Sequence, residues 1–236
     1  MNDKLYMHEF IDILGHGRAD YFQHITAGWG PIAREERGQI CLGVWGTVGT
    51  TGRWPEVVNV WEFDGWAGLQ RNFEREMQGA GMQDPSLRAW WAKAAAMRRG
   101  GFDRVMLPAA FCPTLAELLA DQEIVGAEVF FQEIVSTLPG TAGTFLDLVG
   151  EHYCPLMRSL GVSLVGAYRT AMRDDSEAML VWALKGWSRW AEVETALHGS
   201  PQSAAWQAAS RPFVRERGRT LMASAPLSPL KTGKRL

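Results

Sequence analysis

The chain carries an internal repeat, and that repeat limits its possible folds more than any other feature. Met7-His8-Glu9-Phe10 matches Phe131-Gln132-Glu133-Ile134 at an offset of 124 residues. The same offset pairs Trp29-Gly30-Pro31-Ile32 with Tyr153-Cys154-Pro155-Leu156, and Arg34 with Arg158. Leu42 to Thr47 then matches Val165 to Thr170 at 123, and Val60 to Trp66 matches Val181 to Trp187 at 121. Pro85 and Trp90 match Pro201 and Trp206 at 116. The order never changes and the offset shrinks steadily, as short loop deletions in a duplicated unit would produce.

Each copy reads as the same run of elements. Leu5 to Ile13 alternates as a strand. Phe22, Ile25, Trp29 and Ile32 mark a helix at 3–4 spacing, which Pro31 should bend by removing a backbone donor. Ile40 to Thr47 and Glu56 to Phe63 are strands around a glycine-punctuated loop. Trp66, Leu69 and Phe73 mark one further helix, Leu87, Trp90, Trp91 and Ala94 another, and Arg104 to Leu107 a closing strand. Thr114-Leu115-Ala116-Glu117 has the spacing of a capping box. The expected fold is α+β, two ferredoxin-like βαββαβ repeats forming an intrachain pseudo-dimeric α+β barrel. Residues 1–110 would form the first repeat, 111–126 a linker with a short helix, 127–225 the second repeat and 226–236 a flexible tail.

Composition argues against several partners. Net charge is −2 and the basic residues form no block beyond Lys231, Lys234 and Arg235, so neither nucleic acid nor an anionic membrane is expected. No stretch approaches the apolar length of a membrane span, and no signal region precedes the first strand. Three cysteines without CxxC spacing suggest thiols in a reducing cytoplasm and no structural zinc site. The expected partner is a small molecule, with a homo-oligomer left open. Eleven tryptophans suggest a lined cavity in addition to a core.

Leu138-Pro139-Gly140 followed by an amphipathic helix resembles the turn after the first strand of NIPSNAP-type domains. The strand from Val58 to Phe63 is similar to that family's aromatic third strand, and Gly43-Val44-Trp45 to its second. The resemblance covers nearly all of both copies. It implies membership of the dimeric α+β barrel superfamily, in which two ferredoxin-like units pair through their sheets. That superfamily includes cofactor-free monooxygenases, lactone isomerases, polyketide cyclases, haem-degrading enzymes and chlorite-dismutase-like haem proteins. The chain departs from simple NIPSNAP domains in carrying two copies, and in having His8 where an arginine is usual. A shared fold does not transmit an activity.

Strand alternation places Tyr6, His8, Phe10 and Asp12 toward the barrel interior, with Gly43 and Trp45, then Asn59, Trp61 and Phe63. The matching positions include Gln132, Gly166, Tyr168, Leu180 and Trp182. On this reading His8 moves a proton and Asn59 polarises an oxygen, with Tyr6, Phe10, Trp45, Trp61, Phe63, Gln132, Tyr168 and Trp182 binding the substrate. Each has a structural alternative: His8 as a hydrogen-bonded core histidine, Asn59 as the partner of a neighbouring polar group, the aromatic rings as filler. Glu9 and Glu133 fall on the helix-facing side of both copies, where a structural role is expected. His152 lies on an apolar helix stripe as a packed residue or a haem ligand. The reading is a cofactor-independent enzyme using acid–base chemistry of isomerase, lyase or oxygenase type on a small aromatic or alicyclic molecule. A non-catalytic small-molecule binder and a haem-binding barrel are the alternatives.

Overall fold

A computed structural model describes residues 2–79 and 81–236. Eight strands carry the fold: β1 (Leu5–Ile13), β2 (Ile40–Thr47), β3 (Glu56–Phe63), β4 (Arg98–Pro108), β5 (Val129–Thr137), β6 (Ser163–Thr170), β7 (Glu177–Leu184) and β8 (Val214–Ser224). Helices α1 (Arg18–Gln23), α2 (Gly30–Arg37), α3 (Gly65–Glu76) and α4 (Pro85–Ala94) belong to the first half. The short α5 (Leu115–Ala120) connects it to α6 (Ala142–Leu148), α7 (Cys154–Ser159), α8 (Trp187–Gly199) and α9 (Pro201–Ser210), and α10 (Pro229–Thr232) follows β8. Among the described residues no helix is long and apolar enough to cross a membrane.

The strands form one closed antiparallel barrel in the order β1-β3-β2-β8-β5-β7-β6-β4. This corrects the expectation of two ferredoxin-like repeats assembled as a pseudo-dimeric α+β barrel. No sheet edge separates two units: β2 pairs with β8 through Trp45↔Ser224 to Thr47↔Met222, and β4 with β6 through Met106↔Thr170 to Pro108↔Tyr168. Closure satisfies backbone groups that an open edge would expose. A sequence repeat reports which segments resemble each other and is silent on how their edges pair.

Local chemistry explains where the elements begin and end. Asp84 caps α4 by accepting from the N–H groups of Ser86 (3.0 Å) and Leu87 (3.2 Å), with Pro85 where no donor is needed. Thr114 and Glu117 make both bonds of the capping box that opens α5. Pro31 sits in the first turn of α2, and a π-helical turn over His24–Trp29 precedes it. The expected bend is taken up there. A matching π-turn, Val149–Tyr153, separates α6 from α7.

Cross-strand register decides which side chains enter the barrel, because residues directly opposite share a face. Tyr6 lies opposite Glu62, His8 opposite Val60 and Phe10 opposite Val58. These side chains point inward, with Trp45, Phe130, Tyr168, Met179, Val181 and Met222 filling the interior. Met7 lies opposite Trp61 and Glu9 opposite Asn59, so these four point outward beneath the helices. The interior is therefore a packed core. Trp45 lies over Gly43 and Tyr168 over Gly166, where any Cβ would collide with the ring.

The segment expected as a flexible tail is docked. Ser228 and Leu230 are fully buried, and the Ser228 hydroxyl accepts a hydrogen bond from the Val44 N–H (3.0 Å). Ala225 donates to the Val44 carbonyl (2.9 Å), so the segment continues the seam beside β2. Two buried groups outweigh the polar composition on which the expectation rested.

Placing Trp45 over a glycine gives a direct test. Gly43→Ala should cost about 1–3 kcal/mol, the usual penalty for overpacking a filled core, and lower the thermal midpoint by several degrees. An unchanged midpoint in differential scanning calorimetry would contradict this packing.

Candidate functional site

The residues expected to act together stand on opposite faces of the sheet. Tyr6, His8, Phe10, Trp45, Gln132 and Tyr168 are in the interior, as expected, whereas Asn59, Trp61, Phe63 and Trp182 are not. Every residue of β3 is buried, the inward face carrying Glu56, Val58, Val60 and Glu62 and the outward face Val57, Asn59, Trp61 and Phe63, so the aromatic rings lie beneath the helices and not in the interior. The slip is one residue, and a one-residue slip reverses every side chain.

His8 is fully buried, and its Nε2 meets Gln132 Oε1 at 3.0 Å. Burial, with the Arg104 guanidinium nearby, pushes its pKa down to about 4, and the bond to Gln132 opposes this only in part. His8 is thus a buried imidazole held against Gln132 and the Phe10 ring, with its Nδ1 left without a partner among the described residues. His152 is also displaced from its expected place. The π-turn adds a residue to the helical repeat, turning Tyr153 inward and leaving His152 exposed beside Glu151.

The polar chemistry of the first half lies on its outer face, between the sheet and helices α1 to α4. Glu9 Oε2 accepts from Trp61 Nε1 (2.6 Å) and from Asn59 Nδ2 (3.0 Å). Asn59 Nδ2 also donates to the Tyr21 hydroxyl (3.1 Å), which α1 delivers from above. Asn59 Oδ1 is buried without a partner among the described residues. Glu9 is surrounded by protein on all sides yet keeps part of its surface accessible, beside the exposed Asp103 directly opposite it on β4. Desolvation, reinforced by the Asp103 charge, pushes the Glu9 pKa up to about 7. The donors Trp61 and Asn59 and the Arg98 guanidinium pull the other way without overcoming burial. Arg98 is itself buried, lies over the Trp91 ring (3.6 Å to the centroid) and leaves its Nε without a partner among the described residues.

The second half resolves the same position differently. Glu133 lies opposite Arg219, whose guanidinium donates to Glu133 Oε1 at 2.8 Å. Tyr153 donates to the same oxygen (2.8 Å), and Arg219 also reaches Glu194 (2.8 Å). One carboxylate thus faces a cation, while its counterpart faces another carboxylate. Perturbed carboxyls of the second kind are characteristic of acid–base sites, although ion-pair networks also shift pKa values.

Sequence reasoning assigned Glu9 a structural role and did not select Tyr21, Arg98 or Asp103. The signal for Glu9 was partial: Asn59 and Trp61 were expected to share a face, but the inward one, opposite to Glu9, which is the only ionisable side chain of β1 on the outward face. The Asp103 contact depends on the β1–β4 register, which alternation does not reveal.

No protein-family model and no curated protein matches this sequence. Among solved structures, a Lactobacillus acidophilus NCFM protein provisionally named a monooxygenase superposes on 100% of this chain and 99% of its own, with a TM-score of 0.64 and 8% identity. An anthrone oxidase-like protein covers 94% of this chain and 92% of its own, with a TM-score of 0.60 and 8% identity. At such identities the likeness shows a shared fold. A NIPSNAP family protein of Agrobacterium tumefaciens strain C58 aligns with 44% of this chain and 95% of its own at 21% identity. Its TM-score of 0.40 is too low to bear on function.

The two buried groups predict opposite pH effects on stability. His8 has a depressed pKa, so the unfolded chain binds its proton first and stability falls as pH drops from about 6.5 to 4, by about 3 kcal/mol. Glu9 has a raised pKa, so the folded chain binds the extra proton and stability falls as pH rises from about 4.5 through 7, by up to about 3 kcal/mol. Denaturant titrations of His8→Gln and Glu9→Gln should therefore diverge from the parent in opposite pH windows. Parallel curves across pH 4–8 would refute both assignments.

Proposed function

We propose that the protein is a cofactor-independent enzyme of the oxygenase type, acting on a small aromatic or alicyclic molecule with an activated C–H bond, with Glu9 as general base. The observation that carries this reading is a carboxyl kept near neutrality by burial and by Asp103, and oriented by Trp61 and Asn59. A base with a pKa close to the working pH combines a useful ionised fraction with real basicity. The whole-chain fold shared with proteins named for oxygenase and oxidase activity supports the reaction class.

In this reading Glu9 accepts the proton of an activated methylene, leaving a carbanion delocalised over the substrate's ring and carbonyl. The positive charge of Arg98, which already acts on Glu9, would stabilise the resulting enolate. Dioxygen then takes up the carbanion's electrons and forms a C–O bond, and the proton held by Glu9 completes a hydroperoxide. Loss of water from that hydroperoxide gives the ketone. The methylene and one molecule of dioxygen thus become a carbonyl and one molecule of water. Electrons for reducing oxygen come from the substrate, and no external reductant enters the balance. Trp61 and Asn59 are positioning residues, holding the carboxylate oxygen that faces them and leaving the other for the substrate. Tyr21, whose hydroxyl is held above the ordinary range by burial, remains protonated throughout.

Glu9→Gln keeps the shape and the two hydrogen bonds and removes the basic oxygen. Oxygen uptake and ketone formation, followed with a tricyclic aromatic ketone bearing a ring methylene, should fall by roughly 10²–10⁴-fold in this variant. Unchanged turnover in a folded Glu9→Gln protein would reject Glu9 as the base.

A further inference from the structure

We propose that the open end of the barrel binds a small planar cation, of guanidinium or amidinium type, that carries an apolar group. A cavity of about 370 Å³ lies there, lined by Phe10, Phe102, Asp12, Glu56, Arg53 and Thr220. Phe10, Asp12 and Glu56 stand on the inner face of the sheet, opposite to the face that carries Glu9. The volume falls at the small end of the range for ligand pockets.

The ligand class follows from what the chain itself places at the matching point of the barrel. The internal repeat matches Glu56 to Glu177 at 121 residues and Arg104 to Thr220 at 116. The sheet keeps both matches: Glu56 lies opposite Asp12 as Glu177 lies opposite Ser136, and Arg104 lies opposite His8 as Thr220 lies opposite Gln132. Beside the β4–β6 seam, Arg104 grips Glu177 with a forked pair of hydrogen bonds, from Nε (2.7 Å) and Nη2 (3.3 Å). The Thr170 hydroxyl adds a third (2.6 Å). Burial alone would raise the Glu177 pKa; the bonds from Arg104 and Thr170 outweigh it and hold the carboxyl below its ordinary range.

Beside the β2–β8 seam the cation is missing. Thr220 stands at the position of the arginine, and Thr47, the match of Thr170, donates to the Glu56 backbone carbonyl (3.3 Å). Glu56 is 6% exposed, and its carboxylate accepts no hydrogen bond among the described residues. Burial raises its pKa, and Arg53 opposes this only in part. Arg53 is its one ion-pair neighbour among the described residues, with Nε 3.0 Å from Oε1 on a side chain that is 74% exposed. Water screens such a pair, so it compensates the buried charge poorly. A buried carboxylate beside an open space, where the other half supplies a guanidinium, selects a cation with the same fork. Asp12 adds a second negative charge to the wall, so two carboxylates face one arginine. Phe10 and Phe102 receive the apolar part, and the Arg104 guanidinium already lies over the Phe102 ring (4.2 Å to the centroid).

Isothermal titration of the full chain with benzamidine at neutral pH tests the proposal. Benzamide, its uncharged isostere, should bind at least tenfold more weakly. Glu56→Gln, which keeps the shape and removes the charge, should weaken benzamidine about tenfold or more. Thr220→Arg supplies the missing guanidinium from the chain and should block the site to the same extent. Arg53→Ala should bind benzamidine at least as tightly as the parent, and Glu9→Gln should bind it equally. No heat of binding at millimolar benzamidine would overturn the proposal. So would binding that is unchanged in a folded Glu56→Gln or Thr220→Arg protein, or lost in Arg53→Ala or Glu9→Gln.

Discussion

Closure of the barrel divides the molecule into two environments, one inside the sheet and one between the sheet and the helices. Once β2 meets β8 and β4 meets β6, the inward side chains pack mainly on one another, and the interior opens to a cavity at the end lined by Phe10, Asp12, Glu56 and Thr220. Trp45, Phe130, Tyr6 and Tyr168 fill that volume, and His8 and Gln132 share one hydrogen bond within it while His8 Nδ1 and Gln132 Nε2 have no partner among the described residues. The Glu9 cluster lies on the other side of the sheet, in the layer beneath the helices. The short closing ladders thus determine where a site can exist as well as how the sheet is held together.

On the outer face a single cross-strand pair sets the electrostatics of each half. Glu133 opposite Arg219 is a buried ion pair, with Arg219 and Tyr153 both donating to Glu133 Oε1. Glu9 opposite Asp103 is a repulsive arrangement, which the fold tolerates because Trp61, Asn59 and Arg98 offset part of the cost. A chain selected for stability alone would place a cation at position 103, as it does at 219. The retained repulsion fits a group whose value lies in its proton affinity.

Much of this was legible in the sequence, residue by residue. β1, β2 and β3 begin and end where alternation placed them, and the Thr114 capping box is present in full. Alternation failed where its premise failed. β3 is buried on both faces, and its carboxylates Glu56 and Glu62 point inward while its aromatic rings point outward, the reverse of a solvent-facing polar side. In β2 the register shifts between Cys41 and Gly43, so Leu42 is an extra residue and breaks the count. β4 begins at Arg98 rather than Arg104, because a start of arginines, glycines and an aspartate carries no strand signature. The π-turns moved His152 out of its expected stripe and Tyr153 into it. Of the two residues expected to carry the chemistry, Asn59 remains in the candidate site and His8 does not. The distinction lay in which strands pair, and that is a property of the closed sheet.

The account depends on the protonation of one carboxyl, and that can be observed directly. A carbon-13 NMR titration of the Glu9 side-chain carboxyl, assigned by comparison with Glu9→Gln, reports its midpoint. The account predicts a midpoint near 7 in the parent protein and a downward shift in Asp103→Asn, with burial holding it above the ordinary carboxylate range. A Glu9 carboxyl that titrates near 4.5, the unshifted value for glutamate, and ignores Asp103→Asn would contradict the account at its base.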